Sequence, residues 1–120
     1  MEKYKLGEME QKFADLIWEN EPITSRELTK LCAESFDWKR STTYTMLKRL
    51  CDRGIFVNQR GLVRSLMTRD EFLAGQGEKF LEESFGGSLP NFLAAFTRRK
   101  KLSDKEIDEI QKLINEHREG

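Results

Sequence analysis

Seventeen residues, WKRSTTYTMLKRLCDRG from Trp38 to Gly54, place hydroxyls, a phenol and cations around a stripe of packing side chains. At about 3.6 residues per helical turn, Thr43, Met46, Leu47 and Leu50 share one stripe, and Ser41, Thr42, Tyr44, Thr45 and Lys48 share the opposite one. The first stripe can pack and the second can hydrogen-bond. Short hydroxyl side chains meet base edges in a DNA major groove, and a threonine methyl can touch thymine, so Ser41, Thr42, Tyr44 and Thr45 are candidates for reading sequence. Lys39, Arg40 and Lys48, with Arg60 and Arg64 farther on, are candidates for phosphate contacts that fix register without reading bases. Arg49 keeps two readings, as a DNA contact or as the partner of an acidic group on another helix, and Tyr44 likewise keeps a second, as a cap on the core edge.

The charge distribution supports a polyanionic partner, although the 120-residue chain is formally neutral. Residues 38 to 69 carry eight cations against the single anion Asp52, for a net charge of +7. The flanks are acidic, at −4 for residues 1 to 37 and −3 for residues 70 to 120. A basic centre between acidic flanks suits a polyanion engaged by one surface. The same pattern also fits a solvated helix face.

Other classes of function have less support. A single histidine, two cysteines without CxxC spacing and the lack of a glycine-rich phosphate loop offer no nucleophile, base and orienting group, so no enzyme, metal site or cofactor is expected. Cys32 and Cys51 read as reduced thiols within helices. No apolar run approaches the roughly 20 residues of a membrane span, and the opening MEKYKLGEMEQ lacks a signal-peptide core, so no membrane insertion and a cytoplasmic location are expected.

The elements that must position these residues follow from periodicity. Leu6, Met9, Phe13, Leu16 and Ile17 predict a helix from about Gly7 to Glu19, closed by Pro22. Thr24 to Glu27 reads as a capping box opening a second helix that ends near Ala33, with Leu28 and Leu31 facing the core. A connection through Ser35, Phe36 and Asp37 leads to a third helix, from Lys39 or Arg40 to a stop at Gly54. Residues 55 to 67 are rich in strand formers around Gly61 and predict a β-hairpin. Three helices followed by a basic hairpin make a winged helix-turn-helix, whose third helix enters the major groove while the wing lies along the backbone.

Beyond Thr68, Asp70 to Ser84 predicts an acidic helix interrupted by Gly75 and Gly77, with a turn at Phe85, Gly86, Gly87 and Ser88. Leu89, Phe92, Leu93 and Phe96 stripe the next helix, and Ile107, Ile110, Leu113 and Ile114 stripe a last one opened by Ser103 to Glu106. Three short helices cannot bury these side chains internally, so the eight are assigned to a homodimer interface. The expected organisation is mainly α with a small β-hairpin: a winged-helix DNA-binding domain at residues 1–69 and a helical dimerisation domain at 70–120.

The chain resembles the penicillinase and methicillin-resistance repressor family, the BlaI, MecI and CopY type of winged-helix regulators. The resemblance rests on Leu6, Gly7, Met9, Glu10, Ile17, Trp18 and Glu19, then on Ile23, Thr24, Arg26, Glu27 and Leu28. In the third helix, Trp38, Ser41, Thr42, Tyr44, Thr45, Leu47, Arg49, Leu50 and Gly54 follow the pattern WxxSTxYTxLxRLxxxG, and Phe85 to Ser88 match a later turn. It departs at Thr43, where an aliphatic residue is usual, and in the wing, where Leu62, Arg64 and Leu66 stand in place of aromatics and a proline. The resemblance implies a dimeric repressor on a palindromic operator near resistance or stress genes such as those for β-lactam resistance. In the penicillinase branch it also implies release through a membrane sensor and protease pathway, the corresponding bond here being Ala95 to Phe96, although packing on the stripe with Phe92 adequately explains Phe96 and many relatives respond to other signals. The ending EHREG makes a copper sensor unexpected. A winged-helix module that binds protein instead of DNA is the alternative, and it would show apolar or acidic residues on the third helix.

Overall fold

Helix α1 (Glu8–Asn20) is the first regular element of the computed structural model, which describes residues 3–120. Its start is held by the Gly7 amide donating to Glu10 Oε1 at 2.9 Å, and its Phe13, Ala14 and Ile17 are fully buried. Strand β1 (Ile23–Thr24) follows, a two-residue element that periodicity did not predict. Helix α2 (Ser25–Phe36) is capped by Thr24, whose hydroxyl accepts from the Glu27 amide at 3.1 Å. It runs a turn beyond the expected end at Ala33, taking in Ser35 and Phe36, and stops where Asp37 turns left-handed with φ 55°. Phe36 and Trp38 then stack at 4.9 Å, and Trp38 reaches Phe13 at 5.5 Å.

Helix α3 (Arg40–Asp52) buries Thr43, Leu47 and Leu50, with Met46 half-buried beside them. Its end is a Schellman turn. The Ile55 amide donates to Leu50 O at 3.2 Å and the Gly54 amide to Cys51 O at 2.9 Å, which requires the φ of 79° at Gly54. Strands β2 (Phe56–Gln59) and β3 (Leu62–Ser65) form the hairpin. Arg60 and Gly61 both have positive φ, the two-residue turn whose twist matches that of the strands. The sheet order is β1-β3-β2, so β3 is central and the hairpin is a three-stranded antiparallel sheet with β1 added to its inner edge. Val63, opposite both Ile23 and Asn58, is fully buried.

Helix α4 (Arg69–Phe85) opens with a capping box in which the Glu71 amide donates to Thr68 Oγ1 and the Thr68 amide to Glu71 Oε1. The expected interruption at Gly75 and Gly77 does not occur; the helix is continuous through both. Gly75 is there for a contact: a Cβ at this position would overlap the Tyr4 ring. Tyr4 in turn stacks on Phe72 at 5.6 Å, and its carbonyl accepts from Gln76 Nε2 at 2.9 Å. The buried Phe72 also meets Trp18, whose indole donates to Met67 O at 3.1 Å.

The chain divides into two compact units, Met1–Lys79 and Phe80–Gly120. The first holds the whole buried core. The second comprises the end of α4 with α5 (Leu89–Arg99) and α6 (Asp104–Glu119), capped by Ser88 and by the Ser103 and Glu106 box. A ladder of rings, Phe80, Phe85, Phe92 and Phe96, joins α4 to α5 at centroid spacings of 5.5 to 5.9 Å. No side chain of this unit is fully buried. Among the described residues no helix is long and apolar enough to cross a membrane.

The two α4 glycines give opposed expectations. Gly75→Ala should destabilise the protein by about 1–3 kcal/mol, because the Tyr4 ring must leave its site. Gly77→Ala should stabilise it by about 0.5–1 kcal/mol, since a Cβ there meets nothing and alanine favours the helix. Urea unfolding of both variants checks this, and equal effects would refute the role given to Gly75.

Candidate nucleic-acid interface

Because Thr43, Leu47 and Leu50 face the core, the opposite side of α3 is turned outward: Ser41, Thr42, Thr45 and Lys48 are all exposed. The Thr45 hydroxyl donates to Ser41 O at 2.9 Å, which restrains its rotamer on the exposed face and leaves the oxygen able to accept a further bond. Lys39 and Arg40 are exposed at the start of the helix. Lys48 lies 3.9 Å from Asp52 one turn on, an exposed pair worth little that does not hold the ammonium in place. Thr43 replaces an aliphatic residue in the core without an unsatisfied hydroxyl, which lies 3.5 Å from Lys39 O.

Tyr44 is held more closely than its neighbours. It is half-buried; its hydroxyl donates to Ser25 Oγ at 3.2 Å, and the Arg40 guanidinium lies 5.5 Å from its ring centroid. The Ser25 hydroxyl, which can turn to donate to the ionised oxygen, followed by the bond and charge of Arg40, holds the phenol below its usual range, because each stabilises a phenolate.

Arg49 reaches Glu10 of α1. Its Nη1 lies 3.8 Å from Glu10 Oε2, while Arg53 Nη2 approaches the same oxygen at 3.4 Å. Arg53 also donates to Lys5 O at 2.8 Å, so one carboxylate and one carbonyl anchor the C-terminal turn of α3 to the segment around α1.

In the wing, Arg60 sits at the tip and is exposed, and Arg64 on β3 donates to Gln59 Oε1 at 2.9 Å across the hairpin. The far end of β3 is fixed by Glu21, whose carboxylate accepts from the Ser65 amide at 2.9 Å and from its hydroxyl at 2.7 Å. Arg26, Thr29 and Lys30 of α2 line a cleft of about 440 Å³ with Arg40 of α3. These three and Ser25 are absent from the candidates read from the sequence. Their spacing of three and four residues, on a face away from Leu28 and Cys32, was the available signal.

The residues assigned to dimerisation form the outer stripes of the second unit. Leu89 and Phe96 on α5 are 52% and 38% exposed, and Ile107, Leu113 and Ile114 on α6 are 47%, 65% and 50% exposed. Phe92, Leu93 and Ile110 are half-buried beside them. Ala95 and Phe96 are exposed but lie inside α5. Among the described residues no three histidine, cysteine or acidic side chains gather to hold a metal.

Residues 6–116 match the penicillinase repressor family. The chain belongs to that family. It is 22% identical to the penicillinase repressor of Bacillus licheniformis over 118 residues, covering 95% of this chain and 92% of that one. It is 20% identical to the methicillin resistance regulatory protein MecI of Staphylococcus aureus over 116 residues, covering 93% and 94%. The penicillinase repressor of Staphylococcus aureus is 20% identical over 106 residues, covering 85% and 84%. As a member of a repressor family, the chain presents a winged helix whose third helix is pinned on one side and polar on the other.

The thiols of Cys32 on α2 and Cys51 on α3 report on this packing. Burial pushes both up, opposed at Cys32 by the Thr43 hydroxyl and reinforced at Cys51 by the charge of Asp52. In the native protein near neutral pH, a thiol reagent should label the half-buried Cys51 slowly and the fully buried Cys32 only after urea is added. Rapid labelling of both without urea would show that α3 is not pinned as described.

Proposed function

We propose that this protein is a DNA-binding transcriptional repressor that acts in the cytoplasm as a homodimer on a palindromic operator. The observation that carries the reading is the outward face of α3, with Ser41, Thr42, Thr45 and Lys48 exposed on a helix whose other face is locked in the core. A protein-binding winged helix would present an apolar or acidic surface there. Residues 1–69 supply the DNA contacts: Ser41, Thr42, Tyr44 and Thr45 face base edges, and Lys39, Arg40, Lys48, Arg60 and Arg64 face phosphates. No catalytic step and no cofactor belong to this reading.

Residues 70–120 supply the dimer. Eight apolar side chains, none fully buried within one chain, are the surface that a second copy covers: Leu89, Phe92, Leu93, Phe96, Ile107, Ile110, Leu113 and Ile114. Two-fold symmetry then places the half-sites one helical turn apart, or a multiple of it. Relatives named for penicillinase and methicillin resistance support resistance genes as the regulated targets. Release by cleavage between Ala95 and Phe96 requires α5 to open first, because a helical bond does not fit a protease cleft.

Selection of bound genomic fragments tests the reading, and recovery of no enriched palindrome would refute it. With three or four of the five phosphate-facing cations neutralising a phosphate in each protomer, log affinity should fall with log salt at a slope of about −6. Thr45→Ala should cost about 1–3 kcal/mol at one base pair, whereas Lys48→Ala should weaken all sequences alike. Ile114→Glu, at an exposed position, should leave each chain folded but yield monomers in sedimentation and weaken operator binding. A wild-type protein that sediments only as monomer at micromolar concentration would refute the dimer.

A further inference from the structure

We propose that Ser25 is a positioning residue for DNA reading, joining the wing turn to Tyr44 so that hairpin and third helix are presented to DNA as one surface. The inference rests on the repressor reading above. Ser25 is the first residue of α2, yet helix initiation does not need its hydroxyl, because Thr24 supplies the cap. Its main chain and side chain face two different elements. The Ser25 amide donates to Gly61 O in the wing turn at 2.7 Å, and its Oγ accepts from the Tyr44 hydroxyl at 3.2 Å. The turn lies beside the hydroxyl: a Cβ at Gly61 would be in ordinary van der Waals contact with Ser25 Oγ, at 3.8 Å.

One short side chain thus touches α3 while its own amide holds the wing. The Arg40 guanidinium over the ring restrains the phenol from a second direction. A phenol bonded in this way has a defined direction, whereas a free tyrosine at a half-exposed position samples several rotamers. Serine suits the site because its oxygen accepts from the phenol and is small enough to sit beside the turn. When the phenol ionises, the Ser25 hydroxyl can turn and donate to the phenolate, and this bond is the largest cause of the lowered phenol pKa.

The test uses the full chain with Ser25→Ala, Ser25→Thr, Tyr44→Phe and the Ser25→Ala/Tyr44→Phe double variant. Alanine keeps the amide bond to Gly61, so the wing stays attached and only the bond to Tyr44 is lost. Phenolate absorbance, with Tyr44→Phe subtracting the Tyr4 signal, should show the Tyr44 titration moving up in Ser25→Ala and staying low in Ser25→Thr. Discrimination between the operator and a single base-pair variant should fall about two- to tenfold in Ser25→Ala, the worth of one net hydrogen bond. Tyr44→Phe should lose at least as much, and the double variant should lose no more than Tyr44→Phe alone. The salt slope should not change, because no phosphate contact is removed. An unshifted Tyr44 titration, or losses that add in the double variant, would overturn the proposal. Should no DNA be selected at all, the repressor reading fails, while the titration still decides whether Ser25 holds Tyr44.

Discussion

A helix can present a fixed pattern of side chains to a partner only if its other face is immobilised, and in this protein that is achieved by burying Thr43, Leu47 and Leu50. The leucines are 2% exposed or less and face a core built from Phe13, Ile17, Leu28, Ile55 and Phe56. Burial of each leucine is worth about 1.5–3 kcal/mol, and the Schellman turn at Gly54 sets where the helix stops and the wing begins. The outward direction of Ser41, Thr42, Thr45 and Lys48 is a consequence of this packing. So is the polar role of Arg49 and Arg53, which meet Glu10 at the helix end and tie α3 to α1.

The wing depends on the same core through β3. Because β3 lies between β1 and β2, the hairpin is attached along its inner edge by main-chain pairing, and Val63 inserts beneath it. Glu21 fixes one end of β3 through Ser65, and Ser25 holds the turn at the other. A two-stranded hairpin alone is marginal in water, and the third strand, short as it is, gives the wing a defined place. The basic side chains that the charge distribution concentrates in residues 38 to 69 therefore sit on elements with few ways to move.

The second unit shows what the same helix chemistry does without a core. Its helices are well capped and its phenylalanines meet edge to ring, yet Leu89, Ile107, Leu113 and Ile114 stay about half exposed or more. Three short helices enclose too little volume to cover eight apolar side chains. This constraint of size, more than any single contact, supports a second copy as the covering surface.

Much of the fold was legible in the sequence because its signals are local. The apolar stripes of α1 and α3, the caps at Thr24, Ser88 and Ser103, and the left-handed turns at Gly54 and Gly61 each depend on residues a few positions apart. The division of α3 into a packing face and a polar face was legible for the same reason. What was not legible depends on neighbours distant in sequence. Gly75 reads as a helix interruption, yet it serves a continuous helix by admitting the Tyr4 ring. Two residues of β1 carry no period to detect, and they form a strand only because β3 passes beside them. Arg49 found its carboxylate on α1, Tyr44 its hydroxyl partner on α2, and Arg40 its cleft with Arg26 and Lys30, none of which spacing within one helix could specify. The sequence by itself determined the elements, the basic centre and the polar stripe, since these follow from side-chain period and backbone preference. Only the tertiary structure decided which polar groups are already engaged and which remain outward, because hydrogen bonds and ion pairs form between whatever the packing of the core brings within reach.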